Sequence, residues 1–121
     1  MPAENLVVTT IYKICERAAW HAAEQSGVYH GSVADTRDGF IHFSTAEQLA
    51  ETAAKHFAQR RDLLLVAVDG DALGAALKWE PSRGGALFPH LYAVLPLAAV
   101  LWTQPLADEV NGRRPIPELA P

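Results

Sequence analysis

The chain has 121 residues, half of them apolar, which suffices for one domain with a hydrophobic core and leaves little room for a second. Ten basic and fourteen acidic residues give a net charge of −4, which argues against binding of long nucleic acids but is compatible with a small basic pocket. No apolar run reaches the roughly 18–20 residues of a membrane span, and no signal-peptide pattern opens the sequence. We therefore expect a cytoplasmic protein, whose oligomeric state the composition leaves open.

The first third of the chain predicts a strand, a helix and a loop. Residues 9–14 are rich in β-branched and aromatic side chains, which favours a strand. Residues 16–25 are rich in alanine and predict a helix that ends at Ser26-Gly27, a usual C-terminal signal. Residues 29–38 contain Gly, Ser and Asp and read as a loop long enough to carry function.

A short strand at residues 40–43 is followed at once by a helix start. Ser44 with Glu47 three residues later matches a capping box. The helical periodicity after it predicts one apolar face, formed by Ala46, Leu49, Ala50, Ala53 and Phe57.

The second half of the chain is dominated by predicted strands. Residues 63–68 form a continuous apolar run, which is typical of a buried central strand, and further strands are predicted at 77–80, 90–94 and 100–103. With helices early and strands late, the sequence predicts an α+β fold: one compact domain over residues 1–121, with a mostly antiparallel sheet and two main helices. The core is expected at about residues 9–104, and residues 105–121 are expected to form a C-terminal tail.

His42 is the leading candidate for a functional side chain. It alternates with Ile41 and Phe43, and strand side chains point alternately to opposite faces, so His42 is predicted on the face away from both. An imidazole donates and accepts hydrogen bonds and titrates near neutral pH. The helix start that follows offers free amides to an anion, and the hydroxyls of Ser44 and Thr45 either cap that helix or contact a ligand. A hydrogen-bonded histidine in a half-buried strand is the structural alternative for His42.

A second group of polar candidates lies between residues 79 and 92. Glu80 follows Trp79 at a predicted strand end, where its carboxylate can act as a base, orient a hydroxyl, or form a salt bridge with Arg83. His90 and Tyr92 are two residues apart and share one strand face, so Tyr92 either stacks on a flat ligand ring or packs in the core.

The loop Arg83-Gly84-Gly85 is a candidate anion-binding site, because glycines let the backbone turn its amides inward and arginine offers a planar fork to phosphate. The pattern lacks the Gly-Lys-Ser/Thr of a P-loop. Cys15, the single cysteine, lies in an apolar run and is predicted to be a buried, inert thiol. Five histidines without Asp or Cys at ligand spacing predict no metal site.

Motifs spread over residues 9–104 resemble the bacterial family called domain of unknown function 952. They are Ile11-Tyr12-Lys13-Ile14, Trp20, Gly27-x-Tyr29-x-Gly31-Ser32, Asp35, Asp38-Gly39-Phe40-Ile41-His42-Phe43-Ser44-Thr45, Gln48, Trp79-Glu80 and Arg83-Gly84-Gly85-x-x-Phe88-Pro89-His90-Leu91-Tyr92. The resemblance implies an ADP-ribosylation fold, distantly related to ADP-ribosyltransferases, and no established activity.

The order of elements is also similar to that of RNA 2′-phosphotransferases. In this resemblance Ile41-His42-Phe43 matches a strand reading His-Ile-His-Leu, and Lys13 stands where those enzymes have a substrate-contacting histidine. Lys13 can still contact phosphate as a point charge.

One hypothesis, motivated by the His42 strand and the fold that the resemblance implies, is an enzyme directed at NAD or ADP-ribose, with NAD as a substrate and no certain cofactor. His42 would bind ribose and Glu80 would orient it or the nucleophile. Phosphate would be held by Lys13, Arg83, Gly84 and Gly85, and Tyr92 or Trp79 would stack.

Two alternatives remain open. The Lys13 departure favours a noncatalytic module that binds a nucleotide-like small molecule. A small hydrolase that uses His42 and His90 as acid and base is the other.

Overall fold

The computed structural model of the protein describes residues 9–119, with Arg83 described by its backbone alone. Within this range the chain forms three α-helices and eight strands, in the order β1 (Thr10–Glu16), α1 (Arg17–Ser26), β2 (Val28–Tyr29), α2 (Val33–Asp38), β3 (Ile41–His42), α3 (Leu49–His56), β4 (Leu63–Asp69), β5 (Leu77–Pro81), β6 (Leu87–Leu91), β7 (Leu95–Pro96) and β8 (Val100–Leu106). The predicted α+β class is confirmed.

The strands form three small sheets, and every strand pair among residues 9–119 is antiparallel. In the first sheet β4 lies between β1 and β8, as its continuous apolar run predicts. The second sheet has the order β3-β6-β5, and the third pairs β2 with β7. The prediction of a single sheet is therefore wrong, and the structure has three sheets. The two-residue strands β2 and β3 each pair with a strand from late in the chain.

A single bridge joins the first sheet to the second. The backbone N–H of Tyr12 donates to the carbonyl of Ser44 at 2.8 Å, and the N–H of Ser44 donates to the carbonyl of Tyr12 at 2.9 Å. This bridge brings β1 alongside the end of β3, so side chains of the two strands face a common space.

The first sheet is covered on both faces. One face of β1 carries Ile11 and Cys15 and packs against Trp20 of α1, while the other carries Tyr12 and Ile14 and packs against α3. This alternation places Lys13 on the Ile11 face, as predicted. The segment after β8 contributes Ile116 and Leu119 to the α3 side.

The region predicted as a loop, residues 29–38, instead contains the end of β2 and all of α2. Helix α2 is stabilised by a capping box, in which the Asp35 N–H donates to the Ser32 hydroxyl at 3.1 Å and the Ser32 N–H donates to the Asp35 carboxylate at 2.8 Å. The spacing of Ser32 and Asp35 was visible in the sequence, but the helix that follows Ser32 has only six residues. Helix α1 ends at Gly27 with φ +90°, as predicted.

The capping box predicted for Ser44 and Glu47 is wrong, and α3 has Gln48 as its N-cap residue, with no side-chain cap. A reciprocal pair of hydrogen bonds instead lies in the turn that precedes the helix. Thr45 and Gln48 form the reciprocal pair: the Gln48 N–H donates to the Thr45 hydroxyl at 3.2 Å, and the Thr45 N–H donates to the Gln48 side chain at 3.0 Å. Ser44 is committed to the bridge, and its hydroxyl lies 2.8 Å from that of Thr52.

The apolar face predicted for α3 is confirmed except for Ala50. Leu49 and Ala53 are buried, with Ala46 and Phe57 packed against them. Ala50 is exposed, because it comes one residue after the buried Leu49 and so lies about 100° further around the helix, pointing away from the sheet. None of the helices described is long and apolar enough to cross a membrane.

Candidate functional site

His42 lies opposite His90 in the register between β3 and β6. Ile41 and Phe43 are buried in the core, whereas the His42 side chain is 37% exposed, so the predicted alternation is confirmed. The ring centroids of the two histidines are 5.6 Å apart in an edge-on arrangement. The fold thus brings together the two histidines that the sequence singled out.

Asp35 is the polar centre beneath His42, and only 2% of its side chain is exposed. Its Oδ1 accepts from the His42 backbone N–H at 3.1 Å and lies 2.6 Å from Nδ1 of the same residue. Its Oδ2 accepts from Lys13 Nζ at 2.8 Å, besides the cap bond of α2. Burial by itself raises the pKa of Asp35, but the His42 hydrogen bond and the Lys13 charge outweigh it and hold the pKa well below its usual range.

Lys13 is buried beside Asp35, with 6% of its side chain exposed. Burial lowers the pKa of its ammonium group, and the charge of Asp35 opposes that effect. Its Nζ is used in the ion pair that holds Asp35, and Asp35 in turn orients the His42 ring. Lys13 therefore contributes to the candidate site indirectly, by positioning Asp35.

His90 has a carboxylate of its own. Glu80 Oε1 lies 2.8 Å from His90 Nδ1 and accepts from the Tyr92 hydroxyl at 2.7 Å. The hydrogen bonds from Tyr92 and His90 hold the pKa of Glu80 below its usual value. The Phe40 ring stacks on the His90 ring at 4.1 Å and lies 4.6 Å from the His42 ring. Each histidine is thus oriented at Nδ1 by a carboxylate, and Phe40 fixes the space between the rings.

A cleft of about 810 Å³ opens beside β1, α2 and α3. Of the predicted site residues, Lys13, His42, Ser44 and His90 line it. Three basic residues with no predicted site role also line it, namely Arg37, His56 and Arg60. A volume of this size accommodates a small-molecule ligand.

The other predicted site residues lie away from the cleft lining. Glu80 and Tyr92 are connected to it through His90, and the Thr45 hydroxyl accepts a hydrogen bond from the Gln48 N–H. Those with no such connection are Trp79, which is exposed, and Gly84 and Gly85, which form a turn with φ of +66° and +82°. The Arg83 side chain lies outside the described residues, and so does its predicted salt bridge with Glu80.

Asp35, Asp38 and Phe40 belong to the site without having been predicted as site residues. The capping pattern Ser32-x-x-Asp35 was a usable signal for the first, since it marks a carboxylate with a fixed position. Nothing in the sequence showed that Asp38 Oδ2 lies 3.0 Å from His42 Nε2, because that contact depends on the turn between α2 and β3.

Two further side chains lie at the inner part of the cleft. Cys15 is buried, as predicted, and burial raises the pKa of its thiol to about 12. Tyr29 is also buried among the lining residues, and its hydroxyl has no hydrogen-bond partner within the described part of the chain.

Comparison with known proteins decides the family. The model of a family described as "Protein of unknown function (DUF952)" matches residues 14–103. The chain belongs to the DUF952 family. The predicted membership is confirmed, whereas the ADP-ribosylation fold stays a prediction. No curated protein matches this DUF952 chain.

Solved structures of a similar protein share this fold. The crystal structure of protein CC0527 from Caulobacter crescentus is 48% identical, with a TM-score of 0.85 over 88% of this chain and 94% of that chain. The solution NMR structure of CC0527 is 50% identical, with a TM-score of 0.77 over 87% of this chain and 90% of that chain. The DUF952 fold is thus shared over nearly the full length of both chains.

The depressed pKa of Asp35 predicts a specific loss of stability in acid. The folded protein releases the Asp35 proton more readily than the unfolded chain, whose aspartates titrate near pH ~3.9. At pH values between the folded and the unfolded pKa of Asp35, unfolded molecules therefore bind more protons than folded ones do. The stabilisation is complete above the unfolded pKa and is lost as the pH falls from there through the folded pKa. Urea unfolding of the wild type and Asp35→Asn between pH 2 and 7 measures this difference.

We expect the difference in unfolding free energy between the two proteins to shrink steadily below pH ~4, since the amide variant lacks the titrating group. Asp62→Asn, which removes an exposed carboxylate 2.7 Å from Arg17, controls for the loss of one negative charge. A constant difference between wild type and Asp35→Asn across the whole range would contradict the prediction.

Proposed function

We propose that this protein is an acid–base enzyme, a hydrolase or transferase, that acts on a small anionic substrate in the cleft. The observation that carries the proposal is the in-register pair of His42 and His90, each with a carboxylate at Nδ1 and both lining one cleft. A carboxylate at Nδ1 fixes the ring orientation, so Nε2 is the ring nitrogen assigned to proton transfer with a substrate.

The two histidines differ in their surroundings, and this difference assigns their roles. Ionised carboxylates only accept hydrogen bonds, and each His42 ring nitrogen lies close to one, Nδ1 to Asp35 Oδ1 and Nε2 to Asp38 Oδ2. His42 is therefore assigned as the proton donor. His90 has its carboxylate at Nδ1 only and is assigned as the proton acceptor.

The reaction then follows general acid–base chemistry. His90 Nε2 takes a proton from a water or hydroxyl as its oxygen forms a bond to the electrophilic atom. The bond from that atom to the leaving oxygen breaks, and His42 Nε2 gives its proton to that oxygen. Solvent returns both rings to their starting states. Such catalysis contributes about 10²–10⁴-fold per group.

The test measures hydrolysis of three probes, bis(4-nitrophenyl) phosphate, 4-nitrophenyl acetate and NAD, as a function of pH. We expect a bell-shaped profile with at least one probe, and a loss of about 100-fold or more in His42→Ala and in His90→Ala. His21→Ala is the matched control, because His21 is exposed on α1 and outside the cleft. Full activity in His42→Ala would overturn the proposal, and so would binding of all probes without turnover, which identifies a noncatalytic module.

A second candidate is the NAD- or ADP-ribose-directed reaction that the sequence resemblance implies. It is favoured by the Tyr12–Ser44 bridge, which sets the strand bearing Lys13 beside the strand bearing His42 at one cleft. Two of its proposed phosphate contacts, Gly84 and Gly85, lie outside the cleft lining, and Lys13 is paired with Asp35. Release of nicotinamide from NAD in the same assay distinguishes this candidate from ester or phosphodiester hydrolysis.

A further inference from the structure

The carboxylate of Asp38 lies between the Arg37 guanidinium and the His42 ring at the cleft. Its Oδ2 lies 3.0 Å from His42 Nε2 and accepts from an Arg37 Nη at 3.4 Å, while its Oδ1 accepts from Arg37 Nε at 2.9 Å. Arg37, Asp38 and His42 all line the cleft. The two oxygens of the Asp38 carboxylate thus occupy the position where the Arg37 guanidinium and the His42 imidazole could bind a ligand.

Asp38 differs from Asp35 in how firmly it is held. Asp35 is buried and has four hydrogen-bond partners that the fold itself supplies: the Ser32 N–H, the Lys13 ammonium, and the backbone N–H and ring Nδ1 of His42. Asp38 is the last residue of α2 and 33% exposed, so solvent can take over its hydrogen bonds when it moves away. Asp38 is therefore the exchangeable carboxylate on His42.

The local charge favours an incoming anion. Lys13 and Asp35 neutralise one another beside His42, and Arg60 is paired with Glu16 at 3.1 Å, so Asp38 is the carboxylate that faces both the Arg37 guanidinium and the His42 ring. When Asp38 moves away, the cleft presents a guanidinium beside an imidazole, although the chain carries a net charge of −4. A guanidinium fork recognises the paired oxygens of a carboxylate or phosphate in the same bidentate way.

We propose that Asp38 occupies the place of a substrate oxyanion, and that a carboxylate or phosphate group of the ligand displaces it from His42 Nε2 and Arg37. This inference deepens the proposed function and rests on it, because it names the group that the acid His42 contacts. Asp38 then acts as an internal competitor, which weakens binding and keeps the two donors oriented when no ligand is bound.

The test measures binding of inorganic phosphate and of acetate at constant ionic strength, followed by the His42 ring signals in NMR spectra. Asp38→Asn removes the competing charge while it keeps the side-chain size. We expect the variant to bind at least one of the two anions about tenfold more tightly than wild type, a change of ~1.4 kcal/mol. The tighter binder of the two identifies the oxyanion as phosphate or carboxylate.

Two further variants make the result specific. Asp62→Asn makes the same change of charge at a second exposed aspartate–arginine pair and is expected to leave anion binding unchanged. Arg37→Gln in the Asp38→Asn background is expected to reverse the gain, because it removes the guanidinium fork. Equal affinities in wild type and Asp38→Asn, or the same gain in Asp62→Asn, would overturn the inference.

The result of the anion-binding test is independent of the result of the turnover assay. If no probe is hydrolysed but Asp38→Asn binds the anion more tightly, the enzyme proposal fails and the oxyanion site stands. If turnover depends on both histidines while Asp38→Asn binds no better, the oxyanion site fails and the catalytic proposal stands.

Discussion

Asp35→Ala is expected to lower the free energy of unfolding by about 3–5 kcal/mol, the usual cost of removing one partner from a buried ion pair. The change leaves the ammonium group of Lys13 buried without its 2.8 Å partner and removes the acceptor of two His42 bonds. A natural domain has only about 5–15 kcal/mol in total, so the variant should be folded but much less stable. Urea unfolding monitored by circular dichroism measures the loss.

A second substitution separates the effect of the unpaired Lys13 charge on stability from the effect of lost packing. In the double variant Lys13→Met with Asp35→Ala the unpaired ammonium is gone, and we expect it to recover about 1–3 kcal/mol relative to Asp35→Ala alone. Asp62→Asn at the exposed Arg17 pair should change stability by less than about 1 kcal/mol. If the double variant were less stable than Asp35→Ala, the burial of Lys13 would not be the source of the loss.

Gly31→Ala is expected to be the most damaging substitution of a small residue near the site. Gly31 has φ of +104°, and a Cβ there would lie 2.8 Å from Asp35 Cβ and 3.3 Å from Ile41 Cγ1. Asp35 cannot retreat, because its carboxylate is fixed by its buried partners. Overpacking costs about 1–3 kcal/mol, and the positive φ costs about 1–2 kcal/mol more. Unfolding free energy and the His42 ring signals report the two consequences, lower stability and a displaced imidazole.

Gly39→Ala is the matched control for this prediction. Gly39 also has a positive φ, +89°, but a Cβ there would meet no atom within 4 Å. It should therefore show only the backbone cost of about 1–2 kcal/mol and leave the His42 signals in place. Equal losses in the two variants would show that the contact with Asp35 has no part in the effect.

The part of the site that follows strand alternation was predictable from the sequence. His42 points away from Ile41 and Phe43, and Lys13 lies on the Ile11 face of β1, because side chains in a strand alternate whatever the surrounding fold is. The central position of β4 followed in the same way from its unbroken apolar run. These features depend on local patterns of two to seven residues.

The features that were missed depend on contacts between distant parts of the chain or on very short elements. Helix α2 has six residues, too few for a helical periodicity to show, and the loop predicted in its place hid Asp35 and Asp38. The convergence of Glu80 on His90 requires the pairing of β5 with β6, and the place of Ser44 outside the turn before α3 depends on its bridge to Tyr12. Neither pairing leaves a signal in the local sequence.

The burial of Cys15 makes the protein convenient for site-specific labelling. Its thiol is the only one in the chain and stays protonated at neutral pH, so maleimide reagents should leave the native protein unmodified. A cysteine introduced at Val33, which is exposed on the cleft rim, would then be the single reactive position. A fluorophore attached there would report ligand entry directly, without removal of the native cysteine.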